Sequence, residues 1–272
     1  MKIPQSPPDF DKLLQELASS RDPEKLSSIL RGPIKSPEEY IHWDQLRYKK
    51  PPENYSTKEW WLSIKWQRNS TCKQIGLSDK VNRKFKFGYT DFISKELHEI
   101  DRQMAGSIGL GNKVKGPNLE TKYVISSLME EAITSSQLEG AATTRKVAKE
   151  MIKTSRKPRN RSEQMILNNY RTMQKIKDWK SQPLSKDLVL DIHRMVTEKA
   201  LDDPSAVGRF RHLSEQIDVS DDQDQVFHIP PPADQLEERM ERMCRFANEE
   251  EPDFFVHPLI RAIILHFWLA YD

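Results

Sequence analysis

The sequence predicts an all-α fold interrupted by one short β-hairpin. Apolar residues recur at three- and four-residue spacing along most of the 272 residues. Helix-start signals stand at Ser36-Pro37-Glu38-Glu39 and Ser56-Thr57-Lys58-Glu59. One stretch differs: Ile217-Asp218-Val219 and Val226-Phe227-His228-Ile229 flank the polar tip Ser220-Asp221-Asp222-Gln223-Asp224, an apolar alternation around an acidic turn.

Taken in order, Phe10, Leu13, Leu14 and Leu17 share one helical face. After Pro51-Pro52 a second helix carries Trp60, Trp61, Ile64 and Trp66, whose bulk fits a core. Thr90 to Met104 follows, with Phe92, Ile93, Leu97, Ile100 and Met104 expected inward. Gly106, Gly109, Gly111 and Gly116 then cluster and mark a domain boundary. The chain divides there into an N-terminal helical region, 1–112, and a core, 113–272. Within the core, helices are expected at Leu119–Leu138, Thr144–Thr154, Ser162–Trp179, Ser185–Ala200, Ala233–Glu249 and His257–Tyr271. Val124, Leu128, Met129, Ala132 and Leu138 form the expected inward face of the first. Pro230-Pro231-Pro232 stops the second strand of the hairpin.

Composition excludes several functions. With 43 Lys+Arg against 41 Asp+Glu, the net charge is +2, so the chain is neither a generally basic nucleic-acid binder nor an acidic tail. Nine glycines and no GxxxxGK[ST] or GxGxxG argue against a glycine-rich phosphate loop. Cys72 and Cys244 are far apart and are expected to be reduced thiols, with no metal site. No secretory signal follows Met1, and no apolar run approaches the ~18–20 residues that cross a bilayer. A cytoplasmic protein without a membrane partner is expected.

Two local features break ordinary rules. Glu139 ends a helix, where a carboxylate meets the negative dipole end at a cost of about 0.3–1 kcal/mol. It is either a solvated surface acid or the partner of an arginine or phosphate site. Gly140 behind it is a helix stop. The segment from Phe254 to Asp272 is apolar around most of its circumference, so a central, buried helix is expected. It has no glycine cap and no basic last turn, and a buried helix end needs partners for about four carbonyls. This suggests a domain cut before completion.

At these places the chain resembles the Fic family of protein adenylyltransferases. Ser135-Ser136-Gln137-Leu138-Glu139-Gly140 matches the inhibitory pattern [S/T]xxxE[G/N], placed as in the subgroup with an N-terminal inhibitory helix. Val207-Gly208-Arg209-Phe210-Arg211 resembles the family's Gly-x-aromatic-Arg segment, and the hairpin with its triple proline resembles the flap. Pro252 to Asp272 looks like the helix that runs into the signature loop HPFx[D/N]GNGR, which these residues do not contain. The resemblance spans roughly Glu38 to Asp272. His257-Pro258-Leu259 lacks the Phe and the GNGR stretch, so His257 is expected to cap or pack. His266 is expected to be a core histidine. Neither is assigned a catalytic role, and no catalytic residue is expected in this chain.

The resemblance implies a chemistry. In a complete member the loop histidine takes the proton of a Ser, Thr or Tyr hydroxyl on a target protein. That hydroxyl attacks the α-phosphorus of ATP, AMP is transferred and pyrophosphate leaves, with Mg²⁺ held by the loop. The flap (Ile217, Asp218, Val219, Val226, Phe227, His228, Ile229) would take an extended target segment by strand addition. The helix over 119–140 would be inhibitory: Glu139 would pair with an arginine after GNGR, Ser135 would orient the carboxylate, and Gly140 would let the chain turn. Neither ATP nor Mg²⁺ is expected to bind well to these residues alone. The implied partners are a hydroxyl-bearing target protein and, as a second candidate, another copy of the chain. Three origins fit: a fragment of a longer enzyme, a naturally shortened product, or one half of a split enzyme. Two other classes compete. One is a regulatory interaction protein. The other is a nucleic-acid-binding module built on Arg156-Lys157-Pro158-Arg159-Asn160-Arg161 with Arg145, Lys146, Lys149 and Lys153, although nucleic acid is the less favoured partner.

Overall fold

The computed structural model describes residues 4–20, 22–31, 40–105, 117–221 and 223–272. The helix start at Ser36-Pro37-Glu38-Glu39 and the boundary expected near residue 112 lie outside them. In chain order the elements are α1 (Phe10–Ser19), α2 (Pro23–Arg31), α3 (Trp43–Leu46), α4 (Thr57–Thr71), β1 (Lys73–Ser78), β2 (Lys84–Phe87), α5 (Asp91–Ala105), α6 (Pro117–Leu138), α7 (Arg145–Thr154), α8 (Arg161–Trp179), α9 (Lys186–Thr197), β3 (Val219–Ser220), β4 (Val226–His228), α10 (Leu236–Ala247) and α11 (Pro258–Tyr271). The fold is mostly helical, with two small antiparallel hairpins. The expected hairpin is β3–β4. The β1–β2 hairpin is an addition, and its signal is the short alternation of Ile75 and Leu77 ahead of Phe85 and Phe87.

Among the described residues, contacts group the chain into two compact units. The first comprises 1–75, 84–101 and 218–228; the second comprises 76–83, 102–217 and 229–272. In the first, the Asp9 side chain accepts from Lys12 N at 2.9 Å and starts α1. Ser56 and Glu59 form a reciprocal capping box at the start of α4. Leu13, Leu17, Ile29, Leu46, Trp60, Trp61 and Ile64 then share one core. On α5 Leu97 is fully buried, and Phe92 and Met104, expected inward, are exposed. Phe92, five residues from Leu97, stands about 140° round the helix from it, whereas Met104, seven residues on, returns to nearly the same face but lies in the last turn of α5.

In the second unit α6 packs chiefly on α8. Met129, Ala132, Ile133 and Ser136 are buried, a run of three- and four-residue steps. Val124 and Leu138 were expected on that face but are exposed, because at ~100° per residue both fall off the stripe. Asn168 of α8 donates to Val196 O at 3.2 Å and Glu198 O at 2.7 Å, which holds the end of α9. Glu163, at the start of α8, is buried beneath a two-pronged pair with Arg156, at 2.9 Å for each contact.

The last helix departs most from expectation. Arg261, Ile264 and Trp268 are buried, but Ile263, His266, Phe267 and Leu269 are exposed. Apolar residues all round a helix do not bury it when the packing neighbour, here α10, covers one side. His266 is therefore a surface histidine. His257 is the N-cap, its Nδ1 accepting from Leu259 N at 3.2 Å, with Pro258 as the first helical residue.

Polar contacts anchor the far end of α11. Arg239 of α10, itself buried, donates to Asp272 Oδ1 from Nε at 2.8 Å and from NH2 at 2.6 Å. It also donates to Ser78 O at 2.8 Å. Trp268 Nε1 donates to Asp272 Oδ2 at 2.9 Å. Arg211 donates to Asp272 O at 2.7 Å and also to Pro231 O. One terminal carbonyl of the helix is thus satisfied by an arginine.

The chain leaving α9 turns at Gly208, whose φ is +71°. A Cβ at Gly208 would lie 2.9 Å from Arg194 Nε, so backbone conformation and space both require glycine. Gly208 N donates to His193 Nδ1 at 3.0 Å, which requires that nitrogen to be unprotonated. Burial pushes the His193 imidazole below its usual value.

Two outcomes follow from these contacts. Arg239→Ala leaves the largely shielded Asp272 carboxylate without its ion-pair partner and lowers unfolding free energy by roughly 3–5 kcal/mol in urea titrations; a loss within experimental error contradicts the anchoring role. A depressed histidine contributes stability above its unfolded value of about 6.5 and loses it as pH falls through the lower folded value. Urea midpoints therefore drop between pH 7.5 and pH 5, and the drop is smaller in His193→Gln, which does not titrate. Equal drops in both proteins contradict the assignment.

Candidate functional site

The Gly-x-aromatic-Arg segment, α10 and the end of α11 enclose a cleft of about 290 Å³ in the second unit. Phe210, Leu236, Met240 and Leu269 contribute apolar wall, and His193, Arg211 and Asp272 contribute polar groups. The segment is rigid for stated reasons. Arg209 makes a two-pronged pair with Glu215, at 2.9 Å and 2.7 Å, and donates to Ser205 O at 2.7 Å and Phe210 O at 2.8 Å. Glu215 also accepts from His212 N at 2.6 Å. The Arg209 guanidinium and that backbone N–H hold the Glu215 carboxyl at about 2, so the pair stays charged through mildly acidic pH. Arg211 reaches the other way, to Asp272 and Pro231. The two arginines of the motif thus brace the cleft from both sides.

Ser135, Glu139 and Gly140 stand together at the end of α6. Gly140, at φ +95°, closes the helix with two bonds: Ala141 N to Ser136 O at 2.9 Å, and Gly140 N to Gln137 O at 3.2 Å. This is the left-handed glycine stop expected from the sequence. Gln137 Nε2 donates to Thr143 O at 2.7 Å, and Asn169 of α8 donates to Ser136 Oγ at 3.3 Å, so the turn is held from two directions. Glu139 N donates to Ser135 O at 3.1 Å. The Glu139 side chain is exposed and forms no ion pair among the described residues. None of the three residues lines the cleft beside Asp272.

The hairpin pairs Val219 with His228 and Ser220 with Val226, with an irregularity between the two pairs. Asp221 builds the turn, its Oδ1 accepting from Gln223 N and Gln225 N, each at 3.0 Å. Ile217, Asp218, Val219, Val226, Phe227 and Ile229 are exposed and His228 is half-buried.

Among the eight basic residues named after α6, Arg145 and Lys149 share Glu130, Arg156 pairs with Glu163, and Arg161 pairs with Asp202. Cys72 and Cys244 are both free thiols. Among the described residues no group of three or more His, Cys, Asp or Glu side chains is placed to hold a metal ion. No helix there is long and apolar enough to cross a membrane.

Residues 183–272 match the model of the Fic/DOC family. The matched stretch takes in α9, the Gly208–Arg211 segment, the β3–β4 hairpin, α10 and α11; α6 and Glu139 precede it. Among solved structures, the chain is similar to a Fic family protein from Desulfovibrio desulfuricans G20 at 21% identity with a TM-score of 0.51. That likeness covers 68% of this chain and 52% of the other, so the chain spans about half the length of the solved protein. No curated protein matches. The chain therefore has a Fic-like helical fold, and its Fic/DOC domain match lies in residues 183–272.

Proposed function

We propose that the chain carries the scaffold of a Fic-type protein adenylyltransferase, restrained by Glu139, and that these residues by themselves do not transfer AMP. The observation that carries this reading is the Fic/DOC match over residues 183–272. The ordered Gly-x-aromatic-Arg segment, hairpin and apolar helix inside that match support it. The 272 residues contain no HPFx[D/N]GNGR sequence. The ATP and Mg²⁺ of a complete family member would be held by the signature loop; among the described residues no group of three or more His, Cys, Asp or Glu side chains is placed to hold a metal ion.

What this chain's own residues would do is bind, align and restrain. The hairpin over 217–229 would add an extended target segment as a further strand and fix the register of its hydroxyl. The exposed apolar residues Val219, Val226 and Phe227 suit that docking. The bonds from Arg239, Arg211 and Trp268 to Asp272 would fix the direction in which a signature loop departs from α11. Glu139 would hold the arginine that follows GNGR. Its carboxylate is unpaired among the described residues at an unfavourable helix end, and a charge-assisted bond would offset that placement.

The test joins the chain, after Asp272, to an HPFx[D/N]GNGR-bearing continuation from a Fic protein. A charge-assisted bond contributes about 1.5–3 kcal/mol. Glu139→Gly is therefore expected to raise AMP incorporation from labelled ATP roughly tenfold to a hundredfold, self-modification included. The unextended chain is expected to incorporate none. Equal incorporation with Glu139 and with glycine contradicts the restraint, and incorporation by the unextended chain contradicts the incomplete scaffold.

A further inference from the structure

Two helices of the second unit begin at one small pocket. Thr144 caps α7, its Oγ1 accepting from Val147 N at 3.4 Å. Asn160 caps α8, its Oδ1 accepting from Glu163 N at 2.9 Å. Both caps line a pocket of about 200 Å³, together with Thr143 and Ser162. Each helix start carries a positive partial charge and backbone N–H groups that lack intrahelical partners. The first turn of α7 holds Arg145 and Lys146 and no acid, the reverse of the usual preference, so no side chain in that turn offsets the dipole.

The pocket side chains have donors in excess. Ser162 Oγ accepts from Ala142 N at 3.1 Å, and the oxygens of Thr144 and Asn160 are used in capping. The hydroxyl protons of Ser162 and Thr144 and the Asn160 Nδ2 group donate to no described residue. Thr143 is only 8% exposed. Its hydroxyl has no hydrogen-bond partner among the described residues, yet it is not sealed in the interior, so the pocket is the space it faces.

Glu163 is the one carboxylate on the pocket, and its oxygens are already satisfied. They accept from Arg156 at 2.9 Å twice and from Arg159 N at 2.7 Å, and the Arg156 guanidinium holds the carboxyl below its usual range. Lys146 and the Arg159 side chain are exposed and make no salt bridge among the described residues. The charge left over around the pocket is therefore positive.

We propose that this pocket binds a tetrahedral oxyanion: the phosphoryl group of a small phosphate ester, or free inorganic phosphate. Its oxygens would accept from the N–H groups that open α7 and α8, from the Thr143, Thr144 and Ser162 hydroxyls and from Asn160 Nδ2. The anion would offset the uncompensated dipole of α7 and give the Thr143 hydroxyl a partner. Little reorganisation is required, because Gln137 Nε2 already holds Thr143 O at 2.7 Å and Ser162 holds Ala142 N. This site stands apart from the AMP-transfer reading and survives its failure.

The test uses the full ¹⁵N-labelled chain, titrated with sodium phosphate and separately with glycerol phosphate, against sodium chloride at matched ionic strength. The amide resonances of Arg145, Lys146, Arg161 and Ser162 are expected to shift saturably with at least one phosphate probe and not with chloride, a readout that needs no variant to fold. Tighter binding of phosphate supports the free ion as the source, and tighter binding of glycerol phosphate supports an ester. Asn160→Asp keeps the capping oxygen but replaces the donor with a charge, and Thr143→Val removes the hydroxyl at similar volume. Each is expected to weaken binding roughly tenfold, the order of one hydrogen bond to a charged group. Absence of saturable shifts, equal shifts with chloride, or unchanged affinity in both variants each overturn the proposal.

Discussion

In the second unit, α11 holds its place through a buried ion pair as well as apolar contact. Arg239 and Asp272 are both shielded from solvent, and such a pair is stable only if its remaining hydrogen-bonding capacity is met. Here it is. Asp272 accepts from Trp268 through its second oxygen, and Arg239 has Ser78 O as a further acceptor. The carbonyl of Asp272 is taken by Arg211, which also grips Pro231. One carboxylate thus ties the end of α11 to α10, to the Gly-x-aromatic-Arg segment and to the triple proline. The cleft beside it has its shape because these elements cannot separate without leaving a buried charge alone.

Local constraints feed into that arrangement. Gly208 allows the chain to reverse against Arg194, and His193 fixes the turn from the side. Arg209 and Glu215 brace the following loop. Both arginines of this segment are structural here: each guanidinium makes several bonds, where a lysine would offer a single point charge.

The legible parts of the fold were those where sequence acts locally. The capping box at Ser56 and Glu59, the glycine stop at Gly140, the cap at His257 and the acidic hairpin turn at Asp221 each depend on residues within a few positions of one another. Burial was less legible, because it depends on which neighbour arrives. Spacing admitted Val124, Leu138 and Phe92 to apolar faces, but the buried stripes are narrower, and Met104 is exposed in the last turn of α5 although it shares the face of Leu97. On α11 apolarity suggested burial all round, yet Arg261, Ile264 and Trp268 are buried while Ile263, Phe267 and Leu269 are exposed. The β1–β2 hairpin went unread because alternation over so few residues is a weak signal. The links from Arg239 to Asp272 and from Arg211 to Pro231 join residues 33 and 20 positions apart, and periodicity carries no trace of them.

For the candidate site, motif and geometry contribute different things. The pattern from Ser135 to Gly140 lies on a well-held helix stop, and its carboxylate is exposed and unpaired among the described residues. A restraint by Glu139 needs a partner arginine, and the coupling between the two is the quantity at issue. A double-mutant cycle in the loop-extended protein, with Glu139→Gly, the arginine after GNGR changed to alanine, and both together, isolates it. The account predicts that the gain in AMP transfer from Glu139→Gly disappears when that arginine is absent. A gain of the same size with and without the arginine would contradict it.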